Sequence, residues 1–405
     1  MRILVVSQYY YPEPFRIHEI CEELVLRGHN VTVLTGNPNY PDGEIYAGYD
    51  NKDSEEIING VRVIRCVLHP RHRGIVNLFF NYLSFLISAM RRVRKLKNEF
   101  DVVYAYQLSP ITSCQPAVYF AKKFKLPLLM YCLDVWPESI VGQVSEKKLI
   151  FKVVSNISAR IYNACDRILV TSPSFINYLE RTSNVDHSRL RYVPQHADDV
   201  LPMIKNIEHS GLNFVFMGNV GLSQNLECFV KACALIENRS GFKLHIVGSG
   251  ACLDEIKKLA KDLKVEDCII FHGRKPKSEM PKYYGIADVC LVSLRDEGAV
   301  SLTIPGKVQE YMSAGKPILA PIPGDTEFVI KDARCGRALK NDDIDGIATT
   351  IKEWVENPSV LQEMGRHSRR YYEEYFTREK HVDVLEQELE TLIENNRKSC
   401  LNRSK

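Results

Sequence analysis

Short β-branched runs alternate with helix-length segments along the first half of the chain, at residues 3–6, 31–34, 61–64, 102–105, 126–130, 168–170 and 190–193. Strands that read as unbroken apolar runs are covered on both faces. When they alternate with helices, the arrangement that buries them is a parallel sheet with crossover helices. The alternation stops at 203–212, where Asn206, Glu208, His209, Ser210 and Gly211 cluster, and resumes at 213–217, 243–247, 268–271, 289–292 and 317–320. The chain is therefore expected to be an α/β protein of two Rossmann-like, doubly wound parallel-sheet domains facing across a cleft. The first covers 1–207 and the second 208–375, and 376–405 forms a C-terminal helix and polar tail able to pack back on the first domain. Ligands of such sheets lie beyond the carboxyl ends of the strands, so the site is expected between the domains.

A length of 405 residues agrees with two domains, and 45% hydrophobic with 25% charged residues excludes a disordered or fibrous chain. The net charge of +3 divides unevenly: residues 1–205 carry 25 Lys+Arg against 20 Asp+Glu, a balance of +5, and the rest is at −2. That excess is too mild for nucleic acid, but it suits a phosphorylated partner or an anionic membrane surface. Twelve cysteines without a C-x-x-C pair or zinc spacing read as reduced, buried thiols. The opening apolar run of four residues is too short for a secretory core and reads as a first strand.

Chemistry concentrates in five segments. In "LTIPGKVQEYMSAGKPI", 302–318, a short helix begins near Pro305 with Thr303 as its cap, Gly315 past its end and Pro317 barring continuation. Lys307 then lies in the first turn, where the helix dipole disfavours a cation unless an anion is bound there. Glu310, one turn on, is placed to accept from sugar hydroxyls; an exposed Lys–Glu pair is the plain alternative. In "FMGNVGLSQNLE", Gly218 and Gly221 bracket a strand-to-helix turn, with the helix expected near Ser223, that either approaches an anion or only makes the turn. "VGSG" at 247–250 is a second, weaker turn of that type.

The Pro-rich loop after the first strand offers Tyr10, Glu13, Arg16 and His18 to an acceptor, although a histidine at a helix start is more often a surface residue. "YCLDVWPESI" puts Asp134, Trp136 and Glu138 at a strand's carboxyl end; an aromatic between carboxylates suits a sugar, and a loop staple is the alternative. Finally, the apolar core 75–90, interrupted by Asn77, Asn81, Ser84 and Ser88, is shorter than the ~20 residues of a membrane span. Arg71 and Arg73 precede it, and Arg91, Arg92, Arg94, Lys95 and Lys97 follow. It reads equally as an interfacial helix and as a buried crossover helix, with one face open to each role.

Taken in order, "YYYPEP", "RGHNVTVLT", "NPNYPDG", "DVWPES", "FMGNVGLSQNLE", "YYGIADVCLVSL" and "TIPGKVQEYMSAGKPI" resemble the retaining glycosyltransferases of family 4, which have the GT-B fold. The chain looks close to the WbuB-like branch that builds O-antigens, capsules and exopolysaccharides. The resemblance implies a nucleotide-sugar donor, UDP-sugar favoured, in the second domain and a polyprenyl-diphosphate-linked saccharide acceptor in the first. It implies catalytic roles for Lys307, Glu310 and Asp134, and donor contacts from Gly218, Asn219, Gly221, Gln224, Arg274, Ala299, Thr303, Lys307 and Glu310. Acceptor contacts fall to Glu13, Arg16, His18, Asp134, Trp136 and Glu138. No metal or other cofactor is implied, and the place is the cytoplasm, peripheral on the inner face of a bacterial membrane. The chain departs from the broader family at Leu302, where a glutamate is usual, at Asn219 and Gln224, where arginine and lysine are usual, and at Leu133, where a histidine is frequent. An inactive GT-B scaffold subunit and a non-hydrolysing sugar-nucleotide epimerase are the alternatives.

Overall fold

The computed structural model describes residues 1–138, 148–205, 207–295 and 302–403 and divides into two compact units, Met1–Val193 with Val382–Lys405, and Pro194–His381. In the first unit the apolar runs become β1 (Arg2–Val6), β2 (Asn30–Gly36), β4 (Val61–Cys66), β5 (Val102–Gln107), β6 (Leu128–Cys132), β7 (Arg167–Val170) and β8 (Leu190–Tyr192). These strands are parallel in the order β4-β2-β1-β5-β6-β7-β8. An edge strand absent from the sequence reading, β3 (Ser54–Ile58), runs antiparallel to β4. Ser-Glu-Glu-Ile-Ile has no apolar run, but the Asn59-Gly60 turn, with both residues at positive φ, carries the hairpin signal.

Against this sheet α1 (Ile17–Leu26) buries Ile17, Ile20, Cys21 and Leu24 in one core with Val382, Leu385 and Leu389 of α13 (Arg378–Arg403). The crossover from β4 to β5 is α2 (Ile75–Lys95), which buries Phe85, Ala89 and Val93 on one side and leaves Ile75, Val76, Phe79 and Phe80 exposed on the other. The buried crossover reading of this segment holds for its inner face, and the outer face is apolar and exposed. Other crossovers are α3 (Gln115–Phe124), α4 (Lys148–Tyr162) and α5 (Ser174–Ser183). Among the described residues no helix is long and apolar enough to cross a membrane.

The second unit repeats the plan. Strands β9 (Leu212–Met217), β10 (Phe242–Val247), β11 (Ile269–Gly273), β12 (Val289–Leu291), β13 (Ile318–Pro321) and β14 (Gly336–Leu339) are all parallel, in the order β11-β10-β9-β12-β13-β14. The edge strand β14 was not foreseen because Gly-Arg-Ala-Leu lacks β-branched residues. Its glycine is required, since a Cβ at Gly336 would stand 1.9 Å from the Ile318 carbonyl oxygen. Helices α6 (Glu227–Ala234), α7 (Leu253–Asp262), α8 (Met280–Ile286), α9 (Gly306–Ser313), α10 (Asp325–Ala333), α11 (Ile344–Glu356) and α12 (Ser359–Tyr375) complete it. At the core Phe214 lies parallel to Trp354 of α11, ring centroids 6.4 Å apart.

Two expected boundaries move. Residues 194–207 belong to the second unit and not the first: the Ala197 amide donates to Phe376 O at 2.9 Å, Arg369 grips Asp199 at 2.6 and 2.8 Å, and the Ile207 amide donates to Gly285 O. At the other end, His381 Nδ1 meets the Pro194 carbonyl at 3.0 Å, so the first unit resumes at Val382 rather than at 376. Most of the 395–405 tail is also part of α13, which stays helical to Arg403. Among the described residues the cysteines are free thiols and nearly all are buried.

A polar chain crosses the second sheet: His245 on β10 accepts or donates at 2.9 Å to His272 and at 3.0 Å to Asn213 Oδ1. Burial, and after it the charges of His272, His209 and Lys243, lowers His245 from its usual 6.5 to about 4. A base held neutral by the fold contributes its full stability above pH 6.5 and loses it as pH falls toward 4. Relative to a His245→Gln variant, the wild type is expected to lose about 2 kcal/mol between pH 7 and pH 5 in urea titrations. Parallel pH dependences of the two proteins would refute this.

Candidate active site

In the second unit the site forms where β9, β10 and β11 end. The Gly218 amide donates to Val247 O, the Val220 amide to Ser249 O, and the Gly248 amide to Gly273 O, each at 2.9 Å. The two glycine turns are thereby pressed together. A Cβ at Gly248 would be 1.8 Å from Gly218 O, and one at Gly250 would be 2.3 Å from Val220 O. The 247–250 turn, which looked the weaker in sequence, is what lets the 218–221 turn take its path. Asn219 is exposed and its amide lies between the turns, within 2.7 Å of the positions a Cβ would take on Gly221 and Gly250. Arg274 follows directly after β11 and is exposed. No helix starts at Ser223: Leu222–Gln224 make a single 3-10 turn, Asn225 is left-handed, and α6 begins only at Glu227.

Helix α9 supplies the cation. Pro305 is its N-cap and no side chain caps it, so Thr303, partly buried just upstream, is not the cap. An extended Pro305 stops the helix one residue before Gly306, leaving Thr303 too far from the first turn for that role. Tyr311 braces the helix against the sheet: its hydroxyl accepts from the Met217 amide at 3.2 Å and faces Leu291 O at 3.2 Å and Met217 O at 3.3 Å. Beneath the cap, buried Gln309, with its amide oriented by the hydrogen-bond network, donates to Pro305 O and Gly306 O.

Thus fixed, Lys307 lies over the first glycine turn. Its Cε would be 2.6 Å from a Cβ at Gly218, whose φ of +141° and lack of a side chain admit it. The ammonium stands 4.0 Å above the centre of the Phe216 ring and donates to Gln224 Oε1. Burial lowers Lys307 from its usual 10.5 to about 7, against the opposing pull of Glu310 one turn on. An ammonium depressed by dehydration, beside a ring face and a neutral amide at an uncapped helix start, is a site in need of an anion. Gln224 thus holds this cation through its side-chain oxygen. Arg295, missed in sequence, donates to Leu222 O at 2.9 Å and pairs with Glu227, adding a second cation beside the 3-10 turn. Leu302 is partly buried, and Ala299 lies outside the described residues.

In the first unit Asp134 follows β6 and accepts from Ser109 Oγ at 2.8 Å, and burial raises its carboxyl above the usual range. Trp136 packs against the loop that carries Ser109. It is buried, its ring nitrogen donates to Ser109 Oγ at 3.0 Å, and its amide donates to the Tyr162 hydroxyl at 3.1 Å. The tryptophan is the loop staple, and through Ser109 it positions Asp134. Glu138 lies against the Tyr178 hydroxyl. Glu13 is also buried, its carboxylate accepting from the amides of Tyr10, Asn39 and Tyr40 at 2.8–3.2 Å, and burial lifts it to about 7. It closes the loop. Tyr10 is wholly buried as well. His18 turns Nδ1 to Phe15 O at 2.7 Å and packs edge-on to Tyr11. Arg16 occupies the N-cap position of α1 without a side-chain capping bond, and its charge is felt by Tyr106 and Tyr131. Tyr82 of α2, unremarked in sequence, lies within electrostatic reach of both Asp134 and Arg71.

Residues 15–196 match the family model of the glycosyl transferase 4-like domain, and residues 202–371 that of glycosyl transferases group 1. The chain is 29% identical over 331 residues to the probable glycosyltransferase WbjE of Pseudomonas aeruginosa, covering 76% of this chain and 78% of that one. It is 21% identical over 418 residues to the O-antigen chain mannosyltransferase C of Escherichia coli, with 98% and 100% covered. The solved structure of HepE from Anabaena in complex with UDP is similar in fold, with a TM-score of 0.68 at 11% identity over 96% of this chain and 100% of that one. With one glycosyl transferase model on each unit, together spanning most of the chain, the protein belongs to the family 4 glycosyltransferases of the GT-B fold.

Proposed function

We propose that the chain transfers a sugar, with retention, from a nucleoside diphosphate sugar to a polyprenyl-diphosphate-linked saccharide in bacterial surface polysaccharide synthesis. The observation that carries this reading is the Lys307 ammonium, depressed to about 7 and held over the Gly218 turn at the start of α9. Retention fits the family resemblance, the UDP-bound fold relative favours a UDP-sugar, and the O-antigen relative supports the pathway and the lipid-linked acceptor.

In the proposed reaction the bond between the sugar's C1 and the β-phosphate oxygen breaks, and its electron pair goes to the diphosphate. Lys307 and the first-turn amides of α9 meet the charge that develops there, without a metal ion. The acceptor hydroxyl attacks C1 on the face the diphosphate leaves, and its proton passes to a departing phosphate oxygen. Asp134, held by Ser109, orients that hydroxyl, while Glu310 and Asn219 contact the donor. The chain works at the cytoplasmic face of the membrane, with the exposed apolar side of α2 and the neighbouring Arg91, Arg94, Lys95 and Lys97 as the contact.

The test is a transfer assay with UDP-sugars and GDP-mannose against polyprenyl diphosphate N-acetylglucosamine. One donor is expected to release its nucleoside diphosphate only when the lipid is present, giving an axial linkage by NMR from an axial donor. Release without transfer, or an inverted linkage, contradicts the reading.

A further inference from the structure

A cavity of about 370 Å³ lies in the first unit at the start of α2, outside the residues assigned above. Arg71, His72 and Arg73 line it, with Gly74, Gly43 and the exposed Asp42. Its walls are built. The Arg71 amide donates to Asn39 Oδ1 at 3.0 Å, and Asn39 and Asn81 are both fully buried and linked to each other at 3.2 Å. Gly43, at φ +83°, is pressed to within 2.9 Å of the His72 backbone, measured from where a Cβ would be. His72 pairs with Glu44 and Arg71 reaches the Tyr9 hydroxyl at 3.3 Å, whereas Arg73 is exposed. The first turn of α2 adds donors to this corner: its N-cap, Gly74, offers no side-chain oxygen, and no acidic residue follows in that turn.

The cavity does not stand alone. From its rim an apolar stripe runs along α2 through Ile75, Val76, Phe79, Phe80, Leu83 and Ile87, all more than a third exposed, for roughly 18 Å at 1.5 Å per residue. A basic pocket at the head of an apolar track matches one kind of molecule, an amphiphile with phosphate next to its lipid.

We propose that this cavity binds the diphosphate of the lipid-linked acceptor, with Arg71 and Arg73 on its oxygens and the first isoprene units along the α2 stripe. The inference rests on the acceptor class proposed above and adds the residues that read its head and tail.

The experiment measures binding of farnesyl diphosphate, inorganic diphosphate and farnesol to the full-length Lys307→Ala protein, in which the nucleotide site no longer competes. Farnesyl diphosphate is expected to bind at least about tenfold more tightly than either fragment, because head and tail are held together. Arg73→Glu is expected to weaken it about tenfold or more, and Phe79→Ser to bring it to the level of inorganic diphosphate without changing the latter. Equal affinity for farnesyl and inorganic diphosphate would mean a free-phosphate site and overturn the proposal. So would binding indifferent to Arg73→Glu. Vesicles of phosphatidylglycerol that bind with the same loss in Arg73→Glu, while farnesyl diphosphate does not bind, would assign the corner to bulk anionic lipid and also overturn it. Failure of transfer with every sugar nucleotide, alongside intact farnesyl diphosphate binding, would instead count against the proposed reaction and leave this site standing.

Discussion

Lys307→Ala is expected to lower kcat for sugar transfer by about 10²–10³-fold, the loss seen when a preorganised donor to a developing negative charge is removed. The structure makes the lysine's task specific. Its ammonium is anchored to Gln224 and the Phe216 ring, so little reorganisation is needed when the diphosphate departs. The folded protein should not suffer from the change. Holding this ammonium below its normal 10.5 costs stability in the unliganded chain at neutral pH, so the variant is expected to unfold no earlier than wild type. Loss of activity with an unchanged or higher Tm separates a catalytic role from a structural one; a parallel fall in both would contradict the assignment.

Gly248→Ala is expected to have the largest effect on stability. Its Cβ would be placed 1.8 Å from the Gly218 carbonyl oxygen, a backbone atom that can move only with the turn beneath Lys307. The loss is expected to reach about 3 kcal/mol or more, with nucleotide binding lost even where the variant folds. Gly306→Ala is the control, because among the described residues a Cβ there meets only the Gln195 side chain at 3.7 Å and its stability should stay within about 0.5 kcal/mol of wild type. Urea titrations of the two variants distinguish the positions, and equal stability would refute the crowded turn.

What could be read in the sequence and what could not divides along a physical line. The buried parallel strands were legible because both faces are apolar, whereas β3 and β14, at sheet edges, lack that pattern. Lys307 was legible because a cation at a helix start has a local cost that needs a reason. Its partners were not: Gln224 and the Gly248 turn reach it across strands, and no local pattern reports such contacts. The inward partners of Trp136 and Glu13 were not legible either. Their chemistry suits a sugar, but packing turned the ring onto Ser109 and the carboxylate onto three amides. The boundary at 207/208 followed a polar composition that in the fold is bound to the second unit through Asp199 and Arg369.

Calorimetric titration of UDP and GDP reports whether Lys307 and the glycine turns hold a nucleoside diphosphate. A bound diphosphate raises the lysine's pKa from about 7, so binding takes up a proton and is favoured at lower pH. Affinity should be flat below pH 7 and fall up to about tenfold per pH unit above it. One nucleotide binding with proton uptake at pH 8, and losing both affinity and uptake in Lys307→Ala, is the result predicted. Binding that is independent of pH and unchanged in the variant would contradict it.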